Sequence, residues 1–232
     1  MPNAAPILQI SEAEPDLDAG DMPLIPFALD LFPGDLALIE ARNPVWAAEF
    51  ADLCSGLVPL VHGSVRFLGR DWAPLPDILA AALRGRIGRI HSFGAWIGFA
   101  GVDRNILLPQ LHHTRRDADA LREEAAELAR FFGLPGLPLV RPEALDPADL
   151  ARAAAVRAFL GEPRLVLLES PVRGQFTDLV PLLLNALAAA RDRGAAAIWL
   201  TGSDLIWNDR SFPATQRLRF TERGLATLRH AA

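Results

Sequence analysis

Apolar and polar positions follow two rhythms along this chain, and each rhythm predicts its own kind of element. Leu24 to Leu31 and Leu36 to Glu40 read as short apolar strands around the turn Phe32-Pro33-Gly34-Asp35, a hairpin or a strand–turn–strand. From Val45 to Leu57 apolar residues recur at helical spacing (Trp46, Phe50, Leu53, Leu57), with Pro44 suited to the start and Gly56 near the end. Val65 to Leu68 and Arg89 to Phe93 are read as strands, and Leu75 to Leu83 as a short helix. Residues 103 to 132 carry the pattern of one long, charged, amphipathic helix ending at Gly133, and Pro147 to Leu160 that of another. Leu165 to Leu168 and Ala196 to Leu200 are continuous apolar runs of the kind expected for strands covered on both faces, with a helix over Leu179 to Arg193 between them. Strands alternating with helices in this second half predict a parallel α/β sheet.

Residues 1 to 24 break the rhythm. They are acidic and proline-containing (Glu12, Glu14, Asp16, Asp18, Asp21) and read as a loose arm or a short edge strand, set apart from one domain over 25–232. With 51% apolar residues in a chain of 232, that domain can bury a sizeable core. The net charge is −5 with both signs interspersed, so no nucleic-acid footprint stands out. The single cysteine, Cys54, excludes an intrachain disulfide and a cysteine-based zinc site and fits a reducing compartment. No apolar run reaches the roughly 18 to 20 residues of a membrane span, so the expectation is a cytoplasmic protein that reaches a membrane only through a partner. All 23 basic residues are arginine. Arginine cannot be tuned into a neutral base or a Schiff-base amine, so lysine-dependent chemistry is excluded.

The run after the first helix, Gly56-Leu57-Val58-Pro59 to Gly63-Ser64-Val65 and Phe67-Leu68-Gly69-Arg70-Asp71-Trp72, resembles a characteristic segment of ABC-transporter ATPase subunits. Arg86-Ile87-Gly88-Arg89, Asn105-Ile106-Leu107-Leu108-Pro109, Arg157-Ala158 and Pro163-Arg164-Leu165-Val166-Leu167-Leu168 extend the resemblance over about residues 30 to 205. Its flavour is that of bacterial lipid-trafficking importers that work with MCE proteins. The resemblance implies a P-loop NTPase-like, ABC nucleotide-binding-domain fold: a central, mainly parallel sheet, an antiparallel β part and a small helical subdomain at about 103–160.

The same alignment implies that the catalytic stations are degenerate. The Walker A loop falls on Ala41 to Glu49, with Ala41, Pro44 and Trp46 for its glycines, Ala47 for its lysine, and Ala48 and Glu49 for its Ser/Thr pair. Those glycines let backbone N–H groups wrap the phosphates, the lysine neutralises them and the hydroxyl holds magnesium. The Q-loop glutamine falls on Ser92, and the signature on Leu145-Asp146-Pro147-Ala148-Asp149. The Walker B acids fall on Glu169 and Ser170, the D-loop on Gly174-Gln175-Phe176, and the switch histidine on Gly202 or Ser203. Glu169 reads as a cap or loop partner ahead of a metal ligand, and Arg42 as a solvated loop arginine ahead of a phosphate contact. His112-His113 point about 100° apart on a helix and do not form a same-face metal pair. No metal site is assigned.

The glycine-spaced loop with Phe93, Trp96, Ile97 and Phe99 is the candidate docking element. In the resembling family this region borders the groove that receives the permease, and aromatic residues anchor such grooves. The alternative is that these aromatics fold back into the domain's own core. The expectation from all of this is a pseudo-ATPase without a cofactor, a non-catalytic docking, scaffold or regulatory component of a membrane transport assembly, pairing with a membrane permease, an active ATPase copy, or itself. The alternative is a subunit that binds ATP and magnesium through an atypical loop and hydrolyses slowly or only in complex.

Overall fold

The computed structural model describes residues 4–16, 20–172 and 178–227. In chain order its elements are β1 (Leu8–Pro15), β2 (Phe27–Leu31), β3 (Leu36–Glu40), α1 (Pro44–Cys54), β4 (Leu60–Phe67), β5 (Arg70–Asp71), α2 (Asp77–Arg84) and β6 (Ile87–Ile90). The helices α3 (Val102–His113), α4 (Ala118–Phe131) and α5 (Pro147–Phe159) follow. Then come β7 (Leu165–Glu169), α6 (Leu179–Asp192), β8 (Ala196–Thr201), α7 (Asp204–Asn208), β9 (Gln216–Thr221) and β10 (Gly224–Thr227).

The strands form two sheets. One is four-stranded in the order β2-β1-β4-β5, and the other six-stranded in the order β10-β9-β3-β8-β7-β6. In the larger sheet β9, β3, β8, β7 and β6 run parallel, and β10 closes one edge antiparallel. The fully buried runs of β3, β7 and β8 explain this placement, because a strand covered on both faces needs apolar side chains on both. Successive residues split between two cores, as the strand's period of two requires. Leu36, Leu38, Val166, Leu168, Ala197 and Trp199 face the helices α3 to α6. Ala37, Ile39, Leu165, Leu167, Ile198 and Leu200 face α1 and the smaller sheet. The expected mainly parallel sheet, antiparallel part and helical portion are all present.

Two expectations are corrected and one pair of alternatives is decided. Residues 8–15 are no loose arm or edge: β1 lies between β2 and β4 in the smaller sheet. Its acids face outward while Leu8, Ile10 and Ala13 are buried, and a register shift near Glu12 interrupts the alternation that would have revealed it. Of the hairpin and the strand–turn–strand, β2 and β3 are the second, since the turn between them carries the chain from one sheet to the other. The long helix over 103–132 is two helices. Asp117 caps the second by accepting from the N–H groups of Asp119 and Ala120, a side-chain competitor that ends helix continuity.

Candidate functional site

β3 hands over to α1 through residues 41–43, and α1 begins at Pro44. Proline at the first helical position has a preset φ and no N–H to satisfy, and the Asn43 side chain accepts from the Val45 N–H at 2.9 Å. Pro44, Trp46, Ala47, Ala48 and Glu49 are therefore all helical. Ala41 and Ala47 are buried. Trp46 packs on Phe220 of β9 at 5.5 Å, in an aromatic cluster with Phe27 and Phe50, which makes it part of the domain's own core. Glu49, at the position matched to the second Ser/Thr, accepts from the N–H groups of Asp21 (3.1 Å) and Met22 (2.7 Å) and holds that segment on α1.

The turn is ringed by carboxylates already in use. Buried Glu40 accepts from Arg42 Nε at 2.9 Å and from Arg219, and Arg42 also reaches Asp204 at 3.2 Å. Arg42 is thus committed to acids, not presented as a phosphate contact. Gly202 is brought to this turn: a Cβ there would meet the Ala41 carbonyl oxygen at 3.4 Å and Arg42 Cα at 3.6 Å.

A second cluster lies at the end of β7. Glu169 accepts from Arg89 Nε and from the Ser92 N–H at 2.9 Å. Arg89 also donates to Asp52 and to the Ala48 carbonyl at 3.0 Å. His91, alongside, is pushed down to about 3 by burial and then by the charges of Arg89 and Arg157, so its imidazole is neutral. Ser170 has φ 45°, a left-handed conformation uncommon for serine. Ser92, whose buried Oγ has no partner among the described residues, joins Trp96, Pro147 and Ser170 around a cleft of about 230 Å³. Asp146 caps α5 by accepting from the Ala148 N–H at 2.8 Å, and Pro147 is that helix's first residue. The positions matched to the signature thus start a helix. Gly174, Gln175 and Phe176 lie outside the described residues.

These groups do not fit a conventional magnesium–triphosphate cradle. α1 is helical from Pro44, Arg42 is held by Glu40 and Asp204, and Glu169 has spent both oxygens on protein donors. Among the described residues no group of three or more His, Cys, Asp or Glu is placed to hold a metal.

The glycine-spaced loop proposed from sequence as a docking element divides between its two readings. Trp96 is half-buried against the core, with the Arg157 guanidinium 4.4 Å over its ring, and the Ile97 N–H donates to the Asn105 side chain at 2.8 Å. Phe93 and Phe99 point outward, 68% and 83% exposed. Arg157 donates to the carbonyls of Gly94 (2.7 Å) and Ala95 (2.9 Å), and burial pushes its pKa down to about 10. Arg157 and Asn105 position this loop, and sequence reasoning assigned neither a role. Their only signal is polarity amid buried helix positions, Asn105 beside Ile106 and Arg157 between Val156 and Ala158.

The chain is similar to the lipoprotein-releasing system ATP-binding protein LolD of Alcanivorax borkumensis, 25% identical over 218 residues that cover 92% of this chain and 93% of that one. It is 25% identical over 155 residues to the intermembrane phospholipid transport system ATP-binding protein MlaF of Escherichia coli, covering 67% of this chain and 58% of MlaF. No protein-family model matches it. Among solved structures, a dimeric ATP-binding cassette in a post-hydrolysis state with ADP and phosphate superposes with a TM-score of 0.81 at 16% identity, over 96% of this chain and 99% of that one. An ATP-binding subunit of an ABC transporter superposes at 0.79 and 15% identity, over 96% and 90%. These findings overturn the expectation of no cofactor: the relatives are ATP-binding proteins, and a nucleotide is the ligand they imply.

Proposed function

We propose that this chain, related in sequence to the ATP-binding subunits of ABC transporters and built on their fold, is a cassette subunit of a membrane transport assembly specialised for docking, with hydrolysis impaired. The observation that carries this reading is the entry into α1. Where the resemblance puts a glycine-lined phosphate loop, helix already runs from Pro44, its first amide, that of Val45, donates to Asn43, and no lysine exists anywhere in the chain. Nucleotide uptake follows the relatives. What this reading denies is efficient turnover once nucleotide is present.

The docking half rests on Phe93 and Phe99, two outward aromatics on a loop pinned from beneath by Arg157 and Asn105. Exposed aromatic side chains on a loop whose backbone is already tied down are suited to anchor a partner. The partner is a membrane permease subunit, with an active cassette or a second copy of this chain completing a dimer. The chain sits on the cytoplasmic face through that partner, and no described helix is long and apolar enough to cross a membrane.

Steady-state phosphate release from magnesium ATP tests the first half, with an active cassette subunit as control. The expected rate lies at least about a hundredfold below the control, the scale of losing one preorganised charge-stabilising group. Saturable turnover near the control rate, lost in Arg42→Ala, overturns it. For the second half, Phe93→Ala with Phe99→Ala is expected to abolish co-purification with a co-expressed permease while leaving the melting temperature unchanged. Undiminished co-purification counts against docking through this loop.

A further inference from the structure

β6, β7 and α1 meet at a charged cluster that sheet packing alone does not require. Glu169 is 1% exposed and Arg89 12%. One carboxylate oxygen, Oε1, accepts from Arg89 Nε, and the other, Oε2, accepts from the Ser92 N–H at 2.9 Å. The remaining arms of the same guanidinium reach α1, Nη1 on Asp52 and Nη2 on the Ala48 carbonyl. A carboxylate this deeply buried needs a counter-charge. The resemblance puts a Walker B acid at this strand end, a position where a carboxylate reads either as a protein-bound cap or as a metal ligand.

We propose that the Arg89 guanidinium is the resident counter-cation of Glu169, standing where a divalent ion would otherwise neutralise that carboxylate. Glu169 is then a clamp joining β7 to β6 and α1, and not a metal ligand. The planar fork of arginine suits this role: it is always charged and serves three acceptors at once, which a hydrated ion would do only by entering the packed interior. The clamp also fixes the Ser92 amide, the point at which the chain leaves β6 for the docking loop. This inference is independent of the docking reading. It leaves nucleotide binding, which the relatives' names imply, to other contacts.

The test combines a double-mutant cycle with a metal titration. Melting temperatures are measured for the native chain, Arg89→Met, Glu169→Gln and the double variant, and Mn²⁺ binding in the presence of ATP is followed by electron paramagnetic resonance for the native chain and Glu169→Gln. Each single variant is expected to melt lower because it strands a buried charge or breaks its network, and the double to regain at least half of the larger loss. Mn²⁺ affinity is expected to be undetectable in both proteins or to differ by less than threefold. If a single variant fails to fold, folding of the double is itself the recovery. A double variant that melts as low as the two losses summed, or does not fold, overturns the clamp. A loss of Mn²⁺ affinity of threefold or more in Glu169→Gln makes Glu169 a metal ligand and overturns the proposal.

Discussion

Arg157 stands at the junction of α5 and the loop of residues 93–99, both Nη groups on loop carbonyls and its plane near the Trp96 ring. Arg157→Met keeps the aliphatic packing and removes the donors, leaving two carbonyl groups to find new partners. It is expected to cost about 2 kcal/mol and to raise amide hydrogen exchange at residues 94–96. His91 acts through protonation. Its folded pKa of about 3 lies below the ordinary 6.5, so the unfolded chain binds more protons between those values. Stability from the neutral imidazole is therefore fully present above about pH 6.5 and is lost as pH falls toward 3. His91→Gln is expected to flatten that part of the curve of melting temperature against pH, and an unchanged slope would refute the assignment. Neither role was legible in the sequence, where Arg157 is one of many arginines and His91 one polar residue at a strand end. Their surroundings come from residues distant in the chain.

At the scale of elements, α1 shows how local signals and tertiary contacts divide the work. Asn43 and Pro44 form a start signal readable from sequence, and Asn43→Ala is expected to lower stability by about 1 kcal/mol, measured by denaturant titration. Glu49 carried no such signal. Its acceptors-to-amides bracket on Asp21 and Met22 spans more than a turn's reach of sequence, and Glu49→Ala is expected to cost about 1 kcal/mol and to deprotect those two amides. The apolar runs of β3, β7 and β8 were legible because two-sided burial leaves no polar position. β9 carries the other strand signal, Leu218 and Phe220 buried in alternation with Arg217 and Arg219, the period of two of a strand with one covered face. The break between α3 and α4 was hidden by a charged pattern that continues across Thr114 to Asp117, where a side-chain cap and not a change of rhythm ends the helix.

On the scale of the whole molecule, residues 8–15 of the acidic N-terminal stretch belong to the fold. β1 supplies Leu8, Ile10 and Ala13 to the core shared by α1 and both sheets, and β4 and β2 pair only through it. Deleting residues 1–16 is expected to abolish a single cooperative melt, since the smaller sheet would lose its inner strand. A truncated chain that melts as the native one does would return β1 to the status of an appendage. The sequence by itself determined the alternation of strands and helices, the absence of lysine chemistry and the resemblance to an ATPase cassette, because periodicity, composition and motif spacing are properties of neighbouring residues. Only the tertiary structure decided that Arg89 neutralises Glu169, that Arg42 is held by Glu40 and Asp204, and that Trp96 turns inward while Phe93 and Phe99 face out. Charge pairing and burial depend on which distant segments meet, and that is settled when the two sheets and α1 pack together.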